Sequence, residues 1–388
     1  MSTRLPELSV DSLMEYAAQR AGSDDWGARG FETALELLLA GCRERDALTD
    51  LGWRVLRSAA LRHLRNRLLV RAAAGAHGDV EQKPLSGAIV ITGLPRTGTT
   101  VLHNLLALDA DNRFLALWEA LRPVPPQDAA ERDARIERAR EWLEGFYAVV
   151  PSFRAIHALT AHGPEECDAL LQNSFASQHF DDMFDAPAYS RWLSHAHLSA
   201  EYAHYALALR VLAAGDPAPR TWVLKSPSHV GHLDTLLDAL DGPLVVHCHR
   251  PPLAAVTSYA SLIATLRGAY ERDLSAHRIG RQALERSAAA MTRALAVRAT
   301  RGSDAFLDVS LREIVADPVA VVRAIYRRVG RATTLPFEQR MREWLAGNPV
   351  GRHGTHRPDA AGFGLTERAV AGAFAPYDER FAELVGVS

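Results

Sequence analysis

A chain of 388 residues can bury a substantial core, either as one large α/β domain with appendages or as two domains. With 48% hydrophobic residues, 7% aromatics and a net charge of −2, it makes no global electrostatic claim on nucleic acid, so any basic site must be local. The 44 Lys+Arg residues include only two lysines, Lys83 and Lys225, so a lysine is informative wherever it occurs: a position needing charge alone would have been filled by arginine.

Residues 1 to about 80 read as helices, one opened by Ser9-Val10-Asp11, a second over Phe31 to Gly41 and a third over Leu51 to Ala74. The third carries Arg54, Arg57, Arg62, Arg65, Arg67 and Arg71 among Trp53, Leu56, Leu64 and Leu68, a pattern compatible with peripheral contact to an anionic membrane; a scaffold helix solvated by arginines is the plainer reading. Met1 to Gly22 lacks the layout of a signal peptide. The most apolar N-terminal stretch, Ala34 to Ala40, falls far short of the ~20 residues that cross a bilayer. Cys42, Cys167 and Cys248 have neither metal nor redox spacing and read as reduced core thiols, and the expectation is a cytoplasmic protein without a transmembrane segment.

After a polar linker to residue 84, Ile89-Val90-Ile91 has the composition of a buried parallel strand. It empties into Gly93-Leu94-Pro95-Arg96-Thr97-Gly98-Thr99-Thr100, where glycines permit a tight turn with inward backbone N–H groups, and Leu102, Leu105 and Leu106 then mark a helix whose N-terminus adds positive character. This is an anion cradle. Compared with a GxxxxGK[ST] loop, Thr99 replaces the lysine that reaches the β- and γ-phosphates, and the cation is Arg96 inside the loop.

Leu115 to Ala120 follows as a loop or strand end before the Pro123-Val124-Pro125-Pro126 break. Residues 127 to 215 read as helical, with one helix from Asp128 to Val149 and another from Ala188 to Ala214. Between them His162-Gly163-Pro164-Glu165-Glu166-Cys167 reads as a helix start with acids in its first turn; alternatively, His162 or Glu166 faces a substrate. Two further strand units, Thr221 to His229 and Pro243 to Arg250, are apolar runs that end in polar residues, and in a parallel sheet those ends line the crevice that holds the cradle. Lys225 stands at one end and Arg250 at the other, with Ser258 eight residues beyond Arg250. A helical region, Ala269 to Arg301, and a strand, Ala305 to Ser310, follow. His353 and His356 lie in a glycine-punctuated cationic loop, 351 to 358, with no partner spacing for a metal.

Pro95-Arg96-Thr97-Gly98-Thr99-Thr100 resembles the 5′-phosphosulfate loop, PKSGTT or PRSGTT, of the PAPS-dependent sulfotransferases, and Arg250 with Ser258 resembles the 3′-phosphate motif of that family. The resemblance covers about residues 87 to 317 and lies toward the bacterial and tyrosylprotein-type branches, whose lysine-containing strand end is similar to Lys225-Ser226-Pro227. It implies a three-layer P-loop-like α/β domain (85–388) with a central parallel sheet flanked by helices, a helical N-terminal region (1–84) and a helical acceptor-side insertion (127–215). It also implies 3′-phosphoadenosine 5′-phosphosulfate (PAPS) as sulfuryl donor, PAP as product, and no metal. Catalytic candidates on this basis are Glu119 as base, His162 as the other base candidate, and Arg96 and Lys225 as charge stabilisers. Thr97, Gly98, Thr99 and Thr100 would hold the 5′-phosphate with Arg96, and Arg250 and Ser258 the 3′-phosphate. The expected acceptor is a small lipophilic alcohol, phenol or glycolipid, or an amine. A kinase using ATP and magnesium, and a nucleotide-binding membrane-surface scaffold, are the rival readings.

Overall fold

Five parallel strands form one sheet in the order β2-β3-β1-β4-β5, namely β1 (Ile89–Gly93), β2 (Asn112–Arg113), β3 (Thr221–Lys225), β4 (Leu244–His249) and β5 (Phe306–Ser310). The computed structural model describes residues 8–76, 78–85, 87–156, 158–349 and 359–386. The expected loop 351–358, with His353 and His356, therefore lies outside the described residues. β1 and β4 are buried along their whole length, as expected of apolar runs covered by helices on both faces. In register, Ile91 pairs with Lys225 on one side and Val246 on the other. The chain leaves β1 toward β2 and β3 and later returns to add β4 and β5 on the opposite side. The carboxyl end of β1 is thus the topological switch point, where α/β sheets open a binding crevice.

The N-terminal region forms α1 (Val10–Ala21), capped by the Ser9 hydroxyl, α2 (Phe31–Arg45) and α3 (Asp50–Ala76). Their apolar faces enter the same core as the helices of the middle segment: Leu35, Leu64 and Leu68 belong with Leu170, Phe180 and Tyr205. α3 does not present one solvated basic face. Arg67 is buried and donates to the carbonyls of Trp26 and Ala28 and to the Ser174 hydroxyl. Among the described residues no helix is long and apolar enough to cross a membrane.

Three local readings change. The residues before the proline break fold as a short helix, α5 (Leu117–Leu121), because Glu119 caps it by accepting from the Ala116 N–H. The segment 162–166 is not a helix start, since the helix begins at Asp168 and Pro164 instead bridges to Ala116. The stretch expected to be one helix from Ala188 to Ala214 is two, Pro187–His195 and Ser199–Ala214. The expected helix from Asp128 is α6 (Ala129–Val149), with Asp128 as its cap.

Candidate active site

The switch point opens into a cavity of about 960 Å³ whose wall includes Pro95, Arg96, Gly98, Thr99, Thr100 and Arg250 from the cradle side. Local backbone explains the cradle. Gly93 has φ 145° and its Cα packs so closely on β4 that a Cβ would stand 2.3 Å from the Cys248 carbonyl oxygen. Gly98 has φ 89° and caps the helix α4 (Thr99–Ala107) with no side chain on its first-turn N–H groups. Arg96, although not glycine, is also left-handed at φ 69°. Such strain of ~1–2 kcal/mol persists where the surroundings hold it, and here the Arg250 Nη1 donates to the Arg96 carbonyl at 3.0 Å while Arg96 Nη1 donates to the Ile156 carbonyl at 2.6 Å. Among the described residues no carboxylate lies within ion-pair distance of either guanidinium. Burial lowers the pKa of both, and for Arg96 the neighbouring Arg250 charge lowers it further. Two cations held together without a counter-ion, beside an uncapped helix end, make a receptor for an anion.

Not every expected ligand points into this cavity. Thr97 is almost wholly buried and its hydroxyl donates to the Leu94 carbonyl, so it offers the site backbone only. Ser258 is half-buried on the helix Pro252–Arg267, off the cavity wall. Arg250 is steadied from below. His249 bonds Asp308 through Nε2 at 2.9 Å and the Tyr377 hydroxyl through Nδ1 at 2.9 Å, and that hydroxyl also accepts from the Arg250 backbone N–H. His247, His249 and Asp308 place ligand atoms within 4.8 Å of one another, a cluster invisible in the sequence. The Arg298 guanidinium occupies it, donating to Asp308 at 2.7 Å and meeting His247 Nδ1 at 3.4 Å, so the positive charge there is already supplied.

Glu119, the expected base, is spent elsewhere. Both its oxygens take Arg113 in a forked pair, at 2.5 and 2.9 Å, one also accepts from Ala116 N–H at 3.0 Å, and it is off the cavity wall. His162 is exposed and also off the wall. The carboxylates on the cavity wall are Glu141, Glu165, Glu166, Asp168 and Asp182, of which Glu165, Glu166 and Asp168 lie on one segment. The Leu115 carbonyl accepts the Glu165 N–H at 2.8 Å, so the loop that Arg113 and Glu119 brace is the one on which this acidic segment hangs. Glu166 accepts from the Lys225 ammonium at 2.5 Å, with side chains 31% and 2% exposed respectively. Lys225 thus meets the cavity through its partner. Glu165 has one oxygen on the Glu166 N–H and one buried without a partner, and burial pushes its carboxyl up to about 7. Burial likewise raises Asp168 to about 6 and lowers His179 to about 4.

Residues 88–334 match the model of the sulfotransferase family. The chain belongs to that family. Among solved structures, this sulfotransferase is similar to sulfotransferase STF9 from Mycobacterium avium, at 28% identity over 98% of each chain with a TM-score of 0.88. It is similar also to sulfotransferase STF1 from Mycobacterium tuberculosis H37Rv, at 29% identity over 96% of this chain and 100% of that one, with a TM-score of 0.84. No curated protein matches it significantly in sequence. Both likenesses span the N-terminal helices, so these helices are part of the sulfotransferase architecture.

Proposed function

We propose that this sulfotransferase uses PAPS to sulfate a hydroxyl of a small lipophilic acceptor, with Glu166 as base. The reading is carried by the convergence of Arg96 and Arg250, unpaired by acids among the described residues, on the uncapped end of α4 in one cavity with the Lys225–Glu166 pair. When bound, PAPS supplies an activated sulfuryl group whose S–O bond to the 5′-phosphate breaks as a new S–O bond to the acceptor oxygen forms.

The backbone N–H groups at 97–100 and the Thr99 and Thr100 hydroxyls hold the 5′-phosphate, and Arg250 binds the 3′-phosphate. Arg96 and Lys225 neutralise charge growing on the departing phosphate oxygen, an electrostatic role that needs no proton of theirs. Glu166 takes the acceptor proton. It is favoured over Glu165 because its side chain is the more open, beside Lys225, while one Glu165 oxygen is occupied, the other is buried, and burial raises that carboxyl to about 7. Aromatic and aliphatic side chains such as Phe146, Phe153, Phe180 and Leu266 line the rest of the cavity and favour an apolar acceptor body.

Thermal unfolding tests the reading. PAP at about a hundredfold excess over Kd should stabilise the protein by ~2.7 kcal/mol in the presence of a chelator, and ATP with magnesium should not. Stabilisation by ATP with magnesium and not by PAP would indicate phosphoryl transfer, and no response to either would remove both enzyme readings.

A further inference from the structure

α3 reaches the cavity and brings Arg62 and His63 into its wall. Arg62 Nη2 donates to His63 Nε2 at 3.2 Å, and His63 Nδ1 meets the Asn173 carbonyl oxygen at 3.0 Å. That oxygen can only accept, so the Nδ1 carries the proton and the Nε2 lone pair faces Arg62. His63 is fully buried and held well below its usual pKa by that burial, so it is a neutral partner that fixes the guanidinium without offsetting its charge.

The remaining surroundings of Arg62 supply no counter-ion either. Its guanidinium carbon stands 5.8 Å from the Trp142 ring centroid, its Nε is shut off from solvent without a hydrogen-bond partner, and no described carboxylate lies within 4.0 Å. Glu141 shares the cavity wall but is exposed and makes no ion pair with it. Burial, then the charge of Arg65, pull the Arg62 pKa down to about 10. A half-buried cation without a counter-ion among the described residues is costly, and a planar fork of donors on a cavity wall matches a carboxylate.

We infer that Arg62 anchors an acidic headgroup of the sulfate acceptor, which is therefore a hydroxylated amphiphilic carboxylic acid and not a neutral alcohol. The inference rests on the reading of the cavity as an acceptor site. His179 lies within electrostatic range of both Arg62 and Glu166, so anchor and base serve one chamber. Trp142 and Val149, 37% and 39% exposed, lie in the same wall and carry the apolar body of the acceptor toward the surface.

Calorimetry with 8-hydroxyoctanoate and 12-hydroxydodecanoate, each beside its methyl ester, measures the headgroup preference on the protein with and without PAP. The wild type should bind at least one free acid ~10-fold or more tightly than its ester, the worth of a charge-assisted hydrogen bond. Arg62→Gln should bring that ratio near one with PAP affinity unchanged, and Arg62→Lys should keep part of it. Equal binding of acid and ester at both chain lengths, or an unchanged ratio in Arg62→Gln, overturns the inference. Failure to bind PAP would instead count against PAPS as donor, and the acid-to-ester ratio without nucleotide would still decide the role of Arg62.

Discussion

Glu119 and Glu166 are both glutamates facing a cation, yet their surroundings assign them different work. Glu119 shares a dry forked pair with Arg113, which also holds Asp216, and closes a helix cap. Glu166 is open to the cavity on a strand-end lysine. Glu119→Gln should therefore lower the melting temperature while leaving turnover within ~10-fold, because removing one partner of a buried pair costs up to ~3–5 kcal/mol and Asp216 still compensates Arg113. Glu166→Gln should lower turnover by ~10²-fold or more, and should also lower the melting temperature because it takes the carboxylate from the buried Lys225 ammonium, so turnover is the readout that separates the two variants. Single-turnover sulfate transfer on both variants decides the matter; the reverse pattern of turnover would return the role of base to Glu119.

At the scale of an element, the cradle works because β1 and β4 approach too closely for any side chain at Gly93. Gly93→Ala would place a methyl against the Cys248 backbone oxygen, which cannot swing aside, and near Thr97 Oγ1 at 3.0 Å. At Gly87, which also has a positive φ of 79°, the methyl would meet nothing within 4 Å. Gly87→Ala should cost only the ~1 kcal/mol of a left-handed alanine, whereas Gly93→Ala should weaken PAP binding by ~10-fold or more through displacement of the loop. Titration of PAP against both variants separates loop geometry from general loss of stability. Equal affinities would mean that the loop adapts.

At the scale of the whole molecule, the helical N-terminal region is part of the site, because α3 supplies cavity wall and its Leu64 and Leu68 lie in the main core. A chain beginning at residue 85 should expose that apolar face and fail to give a soluble, cooperatively melting protein. Circular dichroism melts of the fragment provide the check, and a folded fragment with wild-type PAP affinity would make the region an appendage.

The sequence by itself determined the four longer strands, the glycine loop with Arg96 inside it, and the placing of Lys225 and Arg250 at strand ends. Those features depend on local composition: unbroken apolar runs, glycines where φ is positive, and cations just beyond them. It did not disclose β2, whose two residues carry no period. Nor could it say that Arg113 would claim Glu119, that Lys225 would select Glu166 across 59 positions, or that Arg62 on an arginine-rich helix would turn inward. A side chain's partner is set by which helices pack over the sheet and at what depth. Only the tertiary structure decided which carboxylate lines the cavity and which arginine lacks a counter-ion, because ion pairing depends on spatial distance and burial and not on spacing along the chain.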